Sequence, residues 1–212
     1  LDGASLDLRL VLAEAQRLGV LSGGAFDVTI QPLWRLYSRH FAALPRSLAG
    51  PDRRQIERAA RLVDYRGIAI EGGGVRLSRD GMAVSLNGIV QGYLTDRITD
   101  MLRDAGLSNL LVDLGEIRAV GNDGARPWRV GITTSAGLQS ARGSVLLEDA
   151  ALATSAGYGT RFEPSGRFHH LFDPATGTCP GQVLSATAVA STAMRADALA
   201  TALAVAPLER AR

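Results

Sequence analysis

The sequence predicts an α+β fold, a mainly antiparallel sheet with flanking helices. Three observations carry that prediction. Helical apolar patterns stand near the start, in the middle and at the end of the chain. Short alternating segments follow one another across Gly-rich turns from Leu110 onward, in meander order. The regular strand–helix–strand alternation of a doubly wound parallel sheet is missing. With 212 residues, 46% of them hydrophobic, the chain has the material of one globular domain.

From Ser5 to Leu18 the residues Leu6, Leu10, Val11, Ala15 and Leu18 recur at helical spacing, with Ser5 as cap and Gly19 as stop. The turn Ser22-Gly23-Gly24 leads to Ala25-Phe26-Asp27-Val28, and Pro32 opens an apolar, Arg-bearing segment through Phe41. A loop with Pro45, Gly50 and Pro51 follows. Ile56, Ala59, Ala60 and Val63, set among charges over residues 52–64, predict a surface helix. Ile68 and Ile70 alternate into Gly72-Gly73-Gly74, and Val75 and Leu77 alternate out, the pattern of a β-hairpin. Met82 to Leu86 reads as a strand that runs through Asn87-Gly88 into a helix from Ile89 to Ala105, ending at Gly106. Further strands are expected at Leu110–Asp113, Ile117–Val120, Trp128–Ile132, Ser144–Leu147, Ala151–Ser155, Arg167–Phe172 and Val183–Ala190. A last helix begins near Thr192.

Composition removes several classes of chemistry. The 23 basic and 21 acidic residues leave a net charge of +2, and every basic residue is Arg, which sets the pI near 9.1. Nothing in that balance calls for a nucleic-acid partner. Without Lys there is no Schiff base, Lys nucleophile or phosphate-loop lysine. No apolar run reaches the ~20 residues of a membrane-spanning helix. Cys179 is the single cysteine, so no internal disulfide forms, and in Thr-Gly-Thr-Cys-Pro-Gly it reads as an inert thiol. Ser155 in Ala-Thr-Ser-Ala-Gly-Tyr only approximates a nucleophile elbow. A Gly-x-Gly-x-x-Gly turn is missing, so a dinucleotide would not bind by the Rossmann route. The chain opens on Leu1 with no charged-then-apolar leader, and the expectation is either a removed targeting segment or a fragment.

The last helix is the most informative segment. Ala196-Asp197-Ala198-Leu199-Ala200-Thr201-Ala202-Leu203 is apolar on every face except at Asp197 and Thr201, so the helix is buried. Those two residues stand four apart and share a face. A buried carboxylate must be paired or bind a metal, and one carboxylate with one hydroxyl suits Mg²⁺, which keeps sites for water and substrate phosphates. The alternative is that Asp197 pairs with an Arg while Thr201 bonds back to a helix carbonyl. The turn from Ser85 to Gly92 directs backbone amides and a helix N-terminus toward one point, as for a pyrophosphate. Its glycines equally suit a tight steric corner. His169 and His170, if extended, face opposite ways, which argues against a two-His metal clamp and leaves one of them as a proton acceptor, a ring-stacking contact or a structural histidine.

Six segments in order, Ser22-Gly23-Gly24-Ala25-Phe26-Asp27, Gly88 to Tyr93, Leu111-Val112-Asp113-Leu114-Gly115, Ala153-Thr154-Ser155, His169 to Gly177 and Ala196 to Thr201, resemble the ApbE family of FAD:protein FMN transferases. The resemblance implies an ApbE-like, T-fold-like domain over residues 1–212 that lacks N-terminal and C-terminal parts of the family domain. It also implies a periplasmic or membrane-anchored enzyme. Such an enzyme uses Mg²⁺ to cleave FAD and attaches FMN to a Thr or Ser of a partner protein, releasing AMP. By position, Ala25, Phe26, Asp27, Ser85, Gln91 and His170 are implied flavin-dinucleotide contacts, with His170 as base. Gly88 (through its carbonyl), Asp197 and Thr201 are the implied metal ligands. The implied partners are FAD and an acceptor protein with a Thr/Ser flavinylation segment. The family turn usually reads Asp-x-Gly-Gly-Ile-Ala-Lys-Gly, whereas Ser85, Asn87, Val90 and Gln91 stand here at the Asp, first Gly, Ala and Lys positions. Two charges beside the dinucleotide are thereby replaced by neutral groups, whose hydrogen bonds to phosphate are weaker. This form, with Asp113-Leu114-Gly115-Glu116-Ile117-Arg118, is similar to the NosX-like branch, associated with a membrane redox partner of nitrous oxide reductase. A FAD pyrophosphatase releasing FMN and AMP, and a non-catalytic FAD-binding module, are the alternative functions.

Overall fold

A computed structural model describes residues 1–43, 48–133, 143–181, 183–207 and 209; Pro45, expected in a loop, lies outside them. Helix α1 (Leu6–Leu21) starts where Ser5 caps the amide of Leu8 and buries Val11, Leu12, Ala15 and Leu18. It does not stop at Gly19. The helix continues to Leu21, and Gly19 lies buried within it because the Tyr65 ring seats on it, where a Cβ would come within 2.8 Å. A single 3-10 turn (Val28–Ile30) leads to α2 (Gln31–Ala42), with Pro32 in its first turn. The surface helix α3 (Arg53–Ala60) begins with a capping box between Asp52 and Gln55. Strands β1 (Ile68–Glu71) and β2 (Gly74–Leu77) form the expected hairpin, Ile68 facing Leu77 and Glu71 facing Gly74.

Residues 82–86 depart from expectation. Among the described residues they join no ladder, because they cross from the hairpin to the next helix with no strand alongside; the Ser85 amide bonds the Val28 carbonyl at 2.7 Å. Helix α4 (Val90–Asp104) follows, then β3 (Leu110–Asp113), β4 (Ile117–Val120), β5 (Trp128–Ile132), β6 (Gly143–Leu147) and β7 (Ala151–Ala156). After a long loop come β8 (Ser185–Ala190) and α5 (Ala193–Val205), capped by Thr192. The main sheet has the antiparallel order β3-β4-β7-β8, and β5-β6 forms a second hairpin.

The expected strand at Arg167–Phe172 is also absent. Only an isolated Arg161–His169 bridge forms. Aromatic packing shapes this loop instead: Phe162, Phe168 and Phe172 all pack around Tyr37, with ring centroids 6.0, 6.0 and 4.8 Å away.

Helix α5 lies across β7 and β8 and against α4. Ala193, Ala196, Ala198, Ala200, Ala202 and Ala204 are all buried; Ala193, Ala196 and Ala200 meet Ala151, Ala153 and Ala188 of the sheet, while Ala198 and Ala202 pack in the cluster built on α1. Small side chains on both sides let the backbones approach, and dispersion contacts at that density supply cohesion. The approach is tightest at Gly92 of α4, where a Cβ would sit 2.3 Å from the Ala193 carbonyl oxygen. Asp96, one turn on, accepts from the amides of Ala193 and Met194 at 2.8 and 2.9 Å, fixing the start of α5. Replacing Gly92 with Ala pushes apart two backbones that have no flexible side chain to yield. A loss of at least about 3 kcal/mol in chemical unfolding is expected. Gly143→Ala, with open space around it, is expected to be near neutral in the same assay.

Candidate active site

A cleft of about 450 Å³ is bounded by residues 25–34, the entry to α4, the start of β4, β7, α5 and the 156–174 loop. Ala25, Phe26, Asp27, Ser85, Gly88, Gln91, His170, Asp197 and Thr201 all line it. Helix geometry explains the last two, which α5 presents one turn apart on its cleft side.

Asp197 is 4% exposed, and its Oδ2 accepts the Gly92 amide at 3.2 Å. Burial pushes its carboxyl up to about 7, against the pull of that amide. It forms no ion pair among the described residues. Arg195, the Arg nearest in sequence, binds Glu14 at 2.8 Å instead, and the Thr201 hydroxyl lies 3.0 Å from the Ser155 Oγ. The alternative of an Arg-paired Asp197 therefore does not hold, and Ser155 is coupled to Thr201 in place of a catalytic histidine. Gly88 completes this corner: a Cβ there would stand 3.0 Å from Thr201 Oγ1. Among the described residues no group of three or more His, Cys, Asp and Glu side chains forms a metal cage. A carboxylate lacking a counter-ion beside a hydroxyl is a donor set that fits a hard cation keeping most of its water.

The turn before α4 differs from the expected anion cradle. The amides of Ile89 and Val90 bond the Leu86 carbonyl at 3.0 and 2.8 Å, and the Gly92 amide is taken by Asp197. Glycine serves close packing here. Gln91 lines the cleft while its Nε2 donates to the Leu114 carbonyl at 2.9 Å, tying α4 to the loop before β4. Asp27 is similarly engaged. Its Oδ1 accepts from the amide and hydroxyl of Thr29 at 2.8 and 2.6 Å, and its Oδ2 from the Tyr65 amide at 2.9 Å, so its carboxylate fixes the backbone that presents Ala25 and Phe26.

The two histidines separate as their alternation predicts. His169 is buried, with Nε2 donating to the Pro180 carbonyl at 3.0 Å and Nδ1 accepting the Leu171 amide at 3.3 Å. Both nitrogens are satisfied, which makes it structural. His170 lines the cleft, and its Nδ1 lies 3.1 Å from the Thr160 carbonyl. A carbonyl only accepts, so Nδ1 carries the proton and Nε2 keeps a lone pair. Burial lowers the affinity of this ring for a second proton, outweighing the Thr160 carbonyl. His170 is thereby a neutral imidazole with a free acceptor. Cys179 exchanges hydrogen bonds with the His169 backbone, and burial pushes its thiol up to about 11, an inert state as its turn composition predicts.

Trp34 and Glu116 are among the cleft residues that the sequence reading did not assign to the site. Trp34 lies in the apolar, Arg-bearing segment after Pro32, where nothing in the sequence marked it for the cleft. Glu116, beside Gly115 and before β4, follows no periodicity, and only the register of β4 with β7 carries it to α5.

Residues 3–212 match the ApbE family. The chain belongs to the ApbE family. Within it, the chain is 35% identical over 205 residues to the FAD:protein FMN transferase of Vibrio cholerae, covering 94% of this chain and 61% of that protein. Identity to the Haemophilus influenzae FAD:protein FMN transferase is 32%, covering 94% and 60%. The crystal structure of the ApbE protein of Thermotoga maritima superposes with a TM-score of 0.84 at 28% identity, covering 96% of this chain and 67% of that one. The flavin transferase ApbE of Vibrio cholerae gives 0.81 at 32% identity, covering 99% and 67%. This ApbE chain spans about 60% of the length of the curated relatives it matches.

The raised carboxyl of Asp197 has a consequence for stability without metal. The folded state holds this proton more tightly than the unfolded chain, so the contribution is complete below about pH 4 and lost as pH rises through about 7. In chelator, the unaltered chain is expected to lose about 2–3 kcal/mol relative to Asp197→Asn between pH 5 and 8. Urea unfolding of both proteins at each pH measures it.

Proposed function

We propose that this chain transfers FMN from FAD to a Thr or Ser hydroxyl of a partner protein, releasing AMP, in a Mg²⁺-dependent reaction. The observation that carries the reading is a shared cleft. The uncompensated Asp197 carboxylate with Thr201 and the free Nε2 of His170 line the same pocket as Ala25 and Phe26. The names of the relatives, FAD:protein FMN transferases, support the same chemistry.

In this reading Asp197, Thr201 and the Gly88 carbonyl hold the divalent cation. When bound, it neutralises charge on the pyrophosphate and its leaving group. Ala25 and Phe26 supply an apolar wall for the flavin dinucleotide, on backbone held by Asp27. Ser85 and Gln91 offer neutral hydrogen-bonding groups along the same wall. The acceptor hydroxyl attacks the FMN phosphorus, the P–O bond to AMP breaks, and Nε2 of His170 takes the hydroxyl proton. The Thr160 carbonyl keeps that nitrogen free for it. By the same resemblance the acceptor is a membrane redox subunit and the reaction is periplasmic. Among the described residues no helix is long and apolar enough to cross a membrane.

The test is the intact mass of an acceptor bearing an Asp-x-x-(Thr/Ser)-Gly-Ala segment after incubation with the chain, FAD and Mg²⁺. A gain of one FMN, abolished by chelator and by Asp197→Ala, is expected. His170→Ala is expected to slow it about 10²–10⁴-fold. Free FMN and AMP with an unmodified acceptor would convert the reading to a pyrophosphatase, and intact FAD on an unmodified acceptor to a binding module.

A further inference from the structure

Glu116 is the one buried carboxylate of the cleft that the reading above leaves without work. It is 8% exposed and lines the cleft together with Asp197. Its backbone is fixed: Thr95 Oγ1 donates to its carbonyl at 3.4 Å, and Gly115 before it turns with φ +102°. The Thr154 amide lies near enough to the carboxylate to favour its charged form, yet Oε2 has no hydrogen-bond partner among the described residues. Nor is there a cation beside it among the described residues. Arg118, two residues along β4, reaches the Ser191 carbonyl and Asp96. Burial and the nearby Asp197 carboxylate push Glu116 up to about 8. A buried oxygen left unserved, facing a like charge that is also without a counter-ion, is costly in the protein alone. One divalent ion between the two removes both costs, since its charge of two balances two carboxylates.

We infer that Glu116 is the second carboxylate of the cation site, its free Oε2 completing with Asp197 the negative charge around one divalent ion, beside the neutral Thr201 hydroxyl. This rests on the proposal that the cleft takes a divalent cation. It accounts for the orphaned oxygen, for the lack of an Arg partner to either acid among the described residues, and for the placement of Glu116 at the head of the strand that pairs with β7 beneath α5.

The experiment is calorimetric titration of Mn²⁺ and of Mg²⁺ into the chelator-stripped chain, without flavin, with thermal unfolding of the metal-free proteins alongside. Glu116→Gln keeps shape and removes charge. It is expected to weaken cation binding by about tenfold or more and to raise the melting temperature of the metal-free chain. Glu116→Asp, which retains the charge, is expected to bind better than Glu116→Gln. If Glu116→Gln binds within twofold of the unaltered chain while Asp197→Asn loses binding, the assignment of Glu116 falls and the cation reading stands. If the unaltered chain binds neither ion at millimolar concentration, both fall. Should Glu116→Gln fail to fold, infrared spectra of the unaltered chain labelled with ¹³C-carboxylate glutamate decide. A labelled band that shifts on Mg²⁺ addition supports the assignment, and an unmoved set of bands overturns it.

Discussion

The architecture turns on one buried carboxylate carried by a helix of alanines. Asp197 can be tolerated at 4% exposure only because α4 comes close enough for the Gly92 amide to reach it. Two further features allow that approach. Gly92 has no side chain to hold α4 off Ala193, and the alanines of α5 let the sheet close from the other side. Larger residues at any of these places would bury more apolar area but move the helix axes apart. The chain therefore sacrifices bulk for proximity where α4, α5 and the sheet converge.

Around that junction the remaining contacts read as positioning devices. Asp96 sets the start of α5, Gln91 ties α4 to the loop before β4, and Asp27 ties the α1–α2 connection to Tyr65. Tyr65 in turn seats on Gly19 of α1. Asp96, Gln91 and Asp27 each use a polar side chain to hold backbone. Thr201, His170 and Glu116 stand out because each retains an atom or a lone pair for something beyond the fold.

Much of this was legible in sequence because it depends on local period and local chemistry. The alternation around Gly72-Gly73-Gly74 marked the hairpin, and the spacing of Asp197 and Thr201 marked a shared helix face. Three features were not. Gly19 reads as a stop from composition, yet a ring arriving from residue 65 makes it an interior notch. Arg167–Phe172 alternates like a strand, but aromatic packing on Tyr37 took precedence over ladder pairing. Glu116 gains its significance only through the pairing of Ile117 and Arg118 with Leu152 and Ala151, a register that no local pattern encodes.

The cleft's walls come from widely separated stretches of the chain, Ala25 to Asp27 on one side and Asp197 to Thr201 on the other. Such a pocket has no existence in any partial fold. The polymer must first close a loop of most of its length, and the closing element is the alanine helix, whose docking supplies both the apolar seal and the charge. The cleft is therefore a property of the finished topology. Anything seated there clasps the early and late parts of the chain together, so occupancy resists unfolding of the whole molecule and its effect extends far beyond the rim of the pocket.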